Sequence, residues 1–294
     1  MILPLLDSST GFDPVSEFTN FVNDPYVNLP LGLDINKGVV YLWLSAAVAI
    51  LVPLLIIRKG LKAKPGRWQT FLEMVYDTAY TQIAKAGLPE EGMRIWFPYV
   101  GTCFIFIWAM NVIGFIPLPF SGESVQLLGV DVPKLQIYAA SANLSVALTL
   151  TLVTFVATHV EGIRYNGVVG YFKSWIPAGL PPVRPLRGGS VGAAILFGLI
   201  AVVEVLSQFV RLVSLSFRLF FNMLAGHLVI AVFLGVGALM AASLGNAAFA
   251  VHIIGWPMGI ALYLLEATLI AALQAYIFAA LSALYIGGAI HPDH

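Results

Sequence analysis

"EVLSQFVRLVSLSFRLFFNMLAGHL", residues 204–228, is the stretch on which the reading of this chain turns. It lies inside a long apolar run, 191–240. As continuous helix at 1.5 Å per residue that run would span ~75 Å, more than twice a ~30 Å hydrocarbon layer. It must therefore tilt strongly, lie partly along the membrane plane, or break. Within it, Glu204, Gln208, Arg211, Leu215, Arg218 and Asn222 succeed one another by four, three, four, three and four residues. That spacing lines one helical face, and Ser207 and Ser214 flank it. The other directions are apolar. A polar stripe on such a helix faces a partner, a cavity or water, not lipid tails.

The rest of the composition agrees. Of 294 residues, 59% are hydrophobic and 10% charged, whereas a soluble domain carries about 25% charged residues. Too few charges remain to cover a water-facing surface, and several apolar runs reach the ~20 residues that cross a bilayer as helix. Alternating barrel-type strands are absent. The expected class is an all-α polytopic membrane protein. Cys103 is the single cysteine, which excludes an intrachain disulfide and reads as ordinary packing. The start, "MILPLLDSST", has no basic segment and too short an apolar core for a cleaved signal peptide. Asp7, Asp13, Glu17, Asp24 and Asp34 against a single Lys37 make residues 1–38 an acidic arm, expected outside the bilayer.

About three ordinary spans are expected, near Val39–Ile57, Phe97–Ile116 and Ile137–Val160. Residues 68–94 between the first two mix polar and apolar residues at helical spacing. Two longer apolar stretches follow, 191–240 and 247–289, read as a steeply inclined helical hairpin whose outer turn is "LGVGALMAASLGNAA". Basic residues test the topology. Segment 58–96 holds Arg58, Lys59, Lys62, Lys64, Arg67, Lys85 and Arg94, and segment 161–190 holds Arg164, Lys173, Arg184 and Arg187. The opposite segments hold Lys37 and Lys134. By the positive-inside rule the first pair faces the cytoplasm, which places the N-terminus outside, the Pro/Gly-rich linker 177–189 inside and the C-terminus inside. Three regions result: the arm 1–38, transmembrane spans with basic loops over 39–190, and the hairpin 191–294.

Arg218 is the residue that composition least explains, since a charged side chain at mid-bilayer costs at least ~2.5–3.5 kcal/mol on insertion scales. The structural reading is a snorkelling arginine or a static pair with a buried acid. Snorkelling suits helix ends, and Arg218 has at least ten mostly apolar residues on either side. A guanidinium does not give up its proton in a protein. Arg218 is therefore a fixed positive charge that attracts a carboxylate, not a member of a relay. Groups able to carry protons stand on both sides of it. Glu204 lies fourteen residues earlier, ~21 Å toward the inside, and His227 nine residues later, ~13 Å toward the outside. On the returning arm Glu266 and Gln274 fall in "YLLEATLIAALQAYIF", and His252 comes closer to the outer turn. Two titratable sets, one per membrane side, are thus separated by a permanent cation. A continuous wire would short-circuit the membrane, whereas two interrupted half-wires force the proton onto something that moves.

Plainer readings stand beside these. Glu204 can serve as a structural partner of Arg211, although seven residues separate them. His227 can be an interhelical hydrogen bonder, and Glu266, Asn222 and Gln274 can be packing glue. His252 and His159 read as interfacial, and His291 and His294 as a solvated tail. The chain has no HExxH, GxxxxGK[ST], GxSxG or GxGxxG and no cofactor or metal motif. It has no nucleotide or catalytic site of its own, so any ATP chemistry falls to a partner. Nothing points to nucleic acid.

The string "SLSFRLFFNMLAGHL" with "EVLSQFVRLVS" upstream resembles the signature of subunit a of F-type ATP synthases, the stator of a membrane proton channel. "YVGTCFIFIWAMNVIGFIP" is similar to that family's second span, with its Asn-x-x-Gly-x-x-Pro element, and "LQAYIFAALSALYI" to its final helix. The resemblance covers residues 95 to 288. It implies partners: a rotating ring of c subunits whose essential carboxylate faces Arg218, a b-type peripheral stalk, a catalytic ATPase head, and membrane lipids. It implies that Asn222, His227, Glu266 and Gln274 belong to an outer half-channel, and Glu204 with Ser207 to an inner one. Gln208, Arg211, Ser214 and His252 are further candidates. His227 stands where family members carry Glu, Gly or His. In the family pattern the acid or histidine precedes the glutamine by seven residues, and here Glu266 precedes Gln274 by eight, a difference a π-bulge would absorb. A bacterial plasma membrane is the default location, with an energy-transducing organelle membrane as the alternative. The rival functions are a self-contained ion-coupled transporter or channel, which would be expected to show internal repeats, and a purely structural assembly subunit.

Overall fold

A computed structural model of the chain describes residues 36–116, 124–127, 130–133, 139–175, 191–244 and 248–291. Most of the acidic arm, the linker 177–189 and His294 lie outside the described residues. Apart from short connections, the described chain is helical except for one antiparallel pair, β1 (Ser124–Leu127) and β2 (Val130–Pro133), which register as Ser124 with Pro133 and Leu127 with Val130. This pair falls in the loop expected between the second and third spans. Among the described residues, five helical stretches are long and apolar enough to cross a membrane: Gly38–Arg58, Glu90–Gly114, Leu144–Ser174, Gly198–Ile230 and Gly255–Ile290.

α1 (Lys37–Arg58) begins where the Asn36 side chain accepts the Val39 N–H at 3.1 Å, an N-cap bond, and ends on Arg58, a cation at the negative pole of the helix. α2 (Arg67–Asp77) continues through a π turn, Thr78–Ala84, to a last turn at Lys85–Gly87. It buries Val75, Ala79, Ile83 and Ala84 and exposes Trp68, Met74 and Tyr76. α3 (Glu90–Gly114) starts seven residues before the apolar run. Glu90 and Glu91 occupy its first turn, where carboxylates favour a helix start.

α4 (Leu144–Ser174) departs most from the expected span Ile137–Val160. It starts later because Ala140–Ala142 form a 3₁₀ turn and Asn143 is extended. It ends later because the helix runs on through Glu161 and Arg164, changing direction at Gly167 (φ 71°). α5 (Val191–Leu244) is unbroken over 54 residues, so of the three possibilities for the long run, breakage is excluded. It also takes in most of the expected outer turn. Ala, Leu and Met favour helix, and backbone groups in hydrocarbon have no other partner. α6 (Ala248–Leu265) follows, then a π turn (Glu266–Ile270) and α7 (Ala271–Ile290).

Contacts divide the chain into two compact units: Met1–Leu55 with Phe106–Asn143 and Phe220–Gln274, and Ile56–Ile105 with Leu144–Leu219 and Ala275–His294. The core of the first gathers Phe115, Ala139, Ala142, Met223, Ile230 and Ala271. The second buries Ile83, Val100, Cys103, Leu219, Phe278 and Ile286. A hydroxyl network runs through the second unit: Tyr99 meets Thr154 at 2.7 Å, and Thr154 lies 3.4 Å from Ser282.

Candidate functional site

The candidate residues fall into both units. Asn222, His227, Glu266 and Gln274 belong to the first, and Glu204, Ser207, Gln208, Arg211, Ser214 and Arg218 to the second.

In the first unit, Asn222 on α5 donates to Gln274 Oε1 on α7 at 2.6 Å. One turn along α5 from Asn222, the Glu266 carboxyl lies on Gly226, where a Cβ would overlap it. Glycine is required there because the space of a side chain is already filled by the carboxyl. Glu266 is 4% exposed, and its Oε1 has no hydrogen-bond partner among the described residues. The π turn expected as an absorber of the eight-residue spacing is present, and it starts at Glu266 itself. His227 is buried. Its Nδ1 lies 2.8 Å from the Met223 carbonyl oxygen, and its ring stacks on Phe115 with centroids 4.9 Å apart. The side chain of His252 lies outside the described residues.

In the second unit, Gln208 donates to Glu204 Oε1 at 2.9 Å. The expected alternative, Glu204 held by Arg211, is not what forms: among the described residues there is no ion pair between them. Arg211 sits instead over the Tyr285 ring, 5.7 Å from its centroid. Glu204, Gln208, Arg211 and Tyr285 line a cavity of about 190 Å³, with Tyr171, Ser174 and Trp175 on other walls. A smaller space of about 20 Å³, shared by Thr158, Gln208, Arg211 and Tyr285, adds Thr151, Thr154 and His159. It has room for about one water molecule. Carboxylate, amide, hydroxyls and water-sized spaces in one place can hand a proton along. Leu215, on the stripe by spacing, is buried, while Arg211, Ser214, Arg218 and Asn222 are exposed. Among the described residues Ser207 and Ser214 make no side-chain hydrogen bond.

Arg218 has neither a hydrogen bond nor an ion pair among the described residues. Val213, Phe217 and Phe221 on the same helix are exposed, and only 6% of the most apolar part of Gly198–Ile230 is buried, against 50% for α3. Among the described spans, the one that carries the permanent cation is the least buried.

A family model described as "ATP synthase A chain" matches residues 39–287. The chain belongs to the ATP synthase A chain family. It is 34% identical over 256 residues to ATP synthase subunit a of Rubrobacter xylanophilus, covering 87% of this chain and 84% of the relative. It is 35% identical over 254 residues to that of Bradyrhizobium diazoefficiens, covering 86% and 88%. To that of Parvibaculum lavamentivorans it is 31% identical over 291 residues, covering 98% of each. The resemblance read from the Arg218 string is therefore correct at the level of the family, and this member of the ATP synthase A chain family is an integral membrane protein.

Sequence reasoning gave no site role to several residues. Asn111 is fully buried, donates to the Ala271 carbonyl at 3.3 Å and accepts from Ser141 at 2.7 Å. Its signals were an amide in an otherwise apolar span and its place at the head of the Asn-x-x-Gly-x-x-Pro element. Tyr285 had none, being one aromatic in an apolar helix. Glu161, 1% exposed and 3.7 Å from Arg164, is a third.

Proposed function

We propose that this chain is the ion-translocating stator of a rotary ATP synthase, with two offset half-channels that meet a ring of c subunits. The observation that carries the proposal is Arg218: an exposed guanidinium amid exposed apolar side chains, without a partner among the described residues. Lipid tails do not accept such a group at acceptable cost. A carboxylate presented by a neighbouring protein does.

A proton enters from the outer side past His227, Glu266 and the Asn222–Gln274 pair and neutralises a ring carboxylate. The neutral carboxyl can turn into lipid. After nearly a full rotation it meets the polar cavity of Glu204 and Gln208, with Ser207 nearby, gives up its proton toward the inside, and is drawn to Arg218. Because a guanidinium keeps its proton, it blocks the direct path and leaves rotation as the only one. Each proton supplies ~2.3 kcal/mol per 100 mV of membrane potential, delivered to a catalytic ATPase head braced by a b-type peripheral stalk. The arm 1–38 lies outside, the basic loops of 39–190 and the C-terminus inside, and the hairpin 191–294 carries the path. A bacterial plasma membrane is the proposed location.

The test is Arg218→Ala in the whole complex reconstituted into proteoliposomes. Coupled ATP synthesis is lost, with passive proton leak remaining. An assembled Arg218→Ala complex that makes ATP at the wild-type rate overturns the proposal.

A further inference from the structure

The interval from Glu266 to Gln274 poses a problem of register. On an uninterrupted α-helix, eight steps of about 100° overshoot two turns by roughly 80°. Glu266 would then leave the face that holds Gln274. The π turn Glu266–Ile270 takes up one residue, and the remaining seven steps fall within about 20° of two turns. That is how Gln274 can meet Asn222 while the Glu266 carboxyl rests on Gly226. A π turn is rarely the preferred state of a helix, so something must hold this one in place.

The end of α3 grips the helix on both sides of it. Three residues before the turn, the Tyr263 hydroxyl donates to the Phe115 carbonyl at 2.6 Å, and the two rings pack edge-on, 5.7 Å apart. Immediately after the turn, Ala271 accepts the Asn111 amide, and Ala271's own N–H reaches back five residues to the Glu266 carbonyl. A carbonyl only accepts, so the Asn111 amide must turn its nitrogen to Ala271 and its oxygen to the Ser141 hydroxyl. Ser141 is delivered by the turn Ala140–Ala142, which follows a close approach at Gly114: a Cβ there would strike Ala139. Asn111 and Ser141 are both fully buried.

We infer that Asn111 is a positioning residue for ion transfer: together with Phe115 it pins the π turn and so aims the Glu266 carboxyl at the face of Asn222 and Gly226. Without that grip the surplus residue is free to shift along the helix, and a shift that carries it past Glu266, out of the interval, turns Glu266 by about 100°. The inference rests on the proposed role of Glu266 in the outer half-channel, and its test reads register separately from ion flow.

Cysteines replace Gly226 and Glu266 in a complex whose Cys103 is changed to serine. The Glu266 carboxyl oxygen, three bonds from its Cβ, lies where a Cβ of residue 226 would be, so the two Cβ atoms come within disulfide reach. Under a membrane-permeant oxidant the crosslink forms with Asn111 present and is lost in Asn111→Leu. Deleting the exposed Thr268 from the π turn restores it, because seven residues then fit an ordinary α-helix. In parallel chains that keep Gly226 and Glu266, proton pumping per assembled complex falls about tenfold or more in Asn111→Leu, the scale of a small misplacement of a reacting group. It recovers in the doubly altered chain. A residue that merely packs would not be rescued by shortening a different helix. Asn111→Ala carries the same test if the leucine blocks assembly. A crosslink that persists in Asn111→Leu, or a loss that deleting Thr268 does not repair, overturns the inference. A crosslink lost and restored while pumping never changes upholds the clamp and overturns instead the role given to Glu266.

Discussion

Gly226→Ala separates the packing of the Glu266 site from its proposed chemistry. The added methyl falls on the Glu266 carboxyl, and with Glu266 only 4% exposed there is little vacant space to receive both. Either the carboxyl leaves its seat or the helices part. Overpacking by a methyl costs about 1–3 kcal/mol, which depopulates the seated position roughly five- to 150-fold. The hydrogen bonding decides which outcome occurs. Glu266 Oε1 has no hydrogen-bond partner among the described residues, so moving the carboxyl gives up contact without breaking a bond at that atom. Parting α5 from its neighbours would instead disturb the 2.6 Å Asn222–Gln274 bond one turn away. The carboxyl is therefore the group that yields. The complex should assemble in near-normal amount while proton flux falls roughly 30-fold, the middle of that range. ATP-driven quenching of a pH-sensitive dye in proteoliposomes, normalised to assembled complex on native gels, measures it. Adding Glu266→Ala removes the overlap and should leave assembly intact with flux still low. If Gly226→Ala pumps like the parent, the carboxyl does not work from the position described.

Other substitutions probe the remaining contacts. Truncating Asn222 and Gln274 singly and together should give a coupling of about 0.6 kcal/mol, at most ~1.7, in the thermal stability of the purified complex; strictly additive losses would contradict the 2.6 Å bond. Glu204→Gln can still accept the Gln208 N–H, so the cavity keeps its shape while losing its titratable group. Flux toward the inside should fall by degrees with assembly unchanged, and undiminished flux would remove Glu204 from the path. Tyr99→Phe deletes one hydroxyl from a Thr154 that also bonds the Leu150 carbonyl and neighbours Ser282. A stability loss of about 0.5–1.5 kcal/mol without change in flux is expected, and a lower flux at full assembly would show that this network carries protons.

Where the sequence misplaced a boundary, the cause was something hydropathy does not register. α1 was legible to within two residues because apolar content and the basic cluster after it coincide. The start of α3 was not, because Glu90 and Glu91 look like loop to a hydropathy count, although they stabilise a first turn. The apolar residues Ala139, Ala140 and Ala142 look like membrane span, yet they are used in a turn packed at Gly114. In the site, charge in an apolar helix exposed Arg218, Glu204 and Glu266 directly. The pairings were hidden, since Asn222 and Gln274 are 52 residues apart and Asn111 and Ala271 are 160. An amide inside a span reads the same whether it packs or positions, and only its partners tell the two apart.

The spacing at Glu266 shows why residues cannot be matched to a family pattern by counting alone. Seven positions before Gln274 stands Ala267, which packs against the core of Phe115, Met223 and Ala271 and has nothing to titrate. A count would conclude that this chain lacks the acid of the proposed outer half-channel. The helix instead holds one residue too many between two fixed points, Tyr263 on Phe115 and Ala271 on Asn111. With both ends held, the surplus cannot be expressed as rotation of either flank, and it appears as a π turn. The first residue of that turn is the glutamate. The geometry that the proposed function needs is thus set by contacts at the ends of the interval, and the number of residues within it can change by one without moving the carboxyl off Gly226.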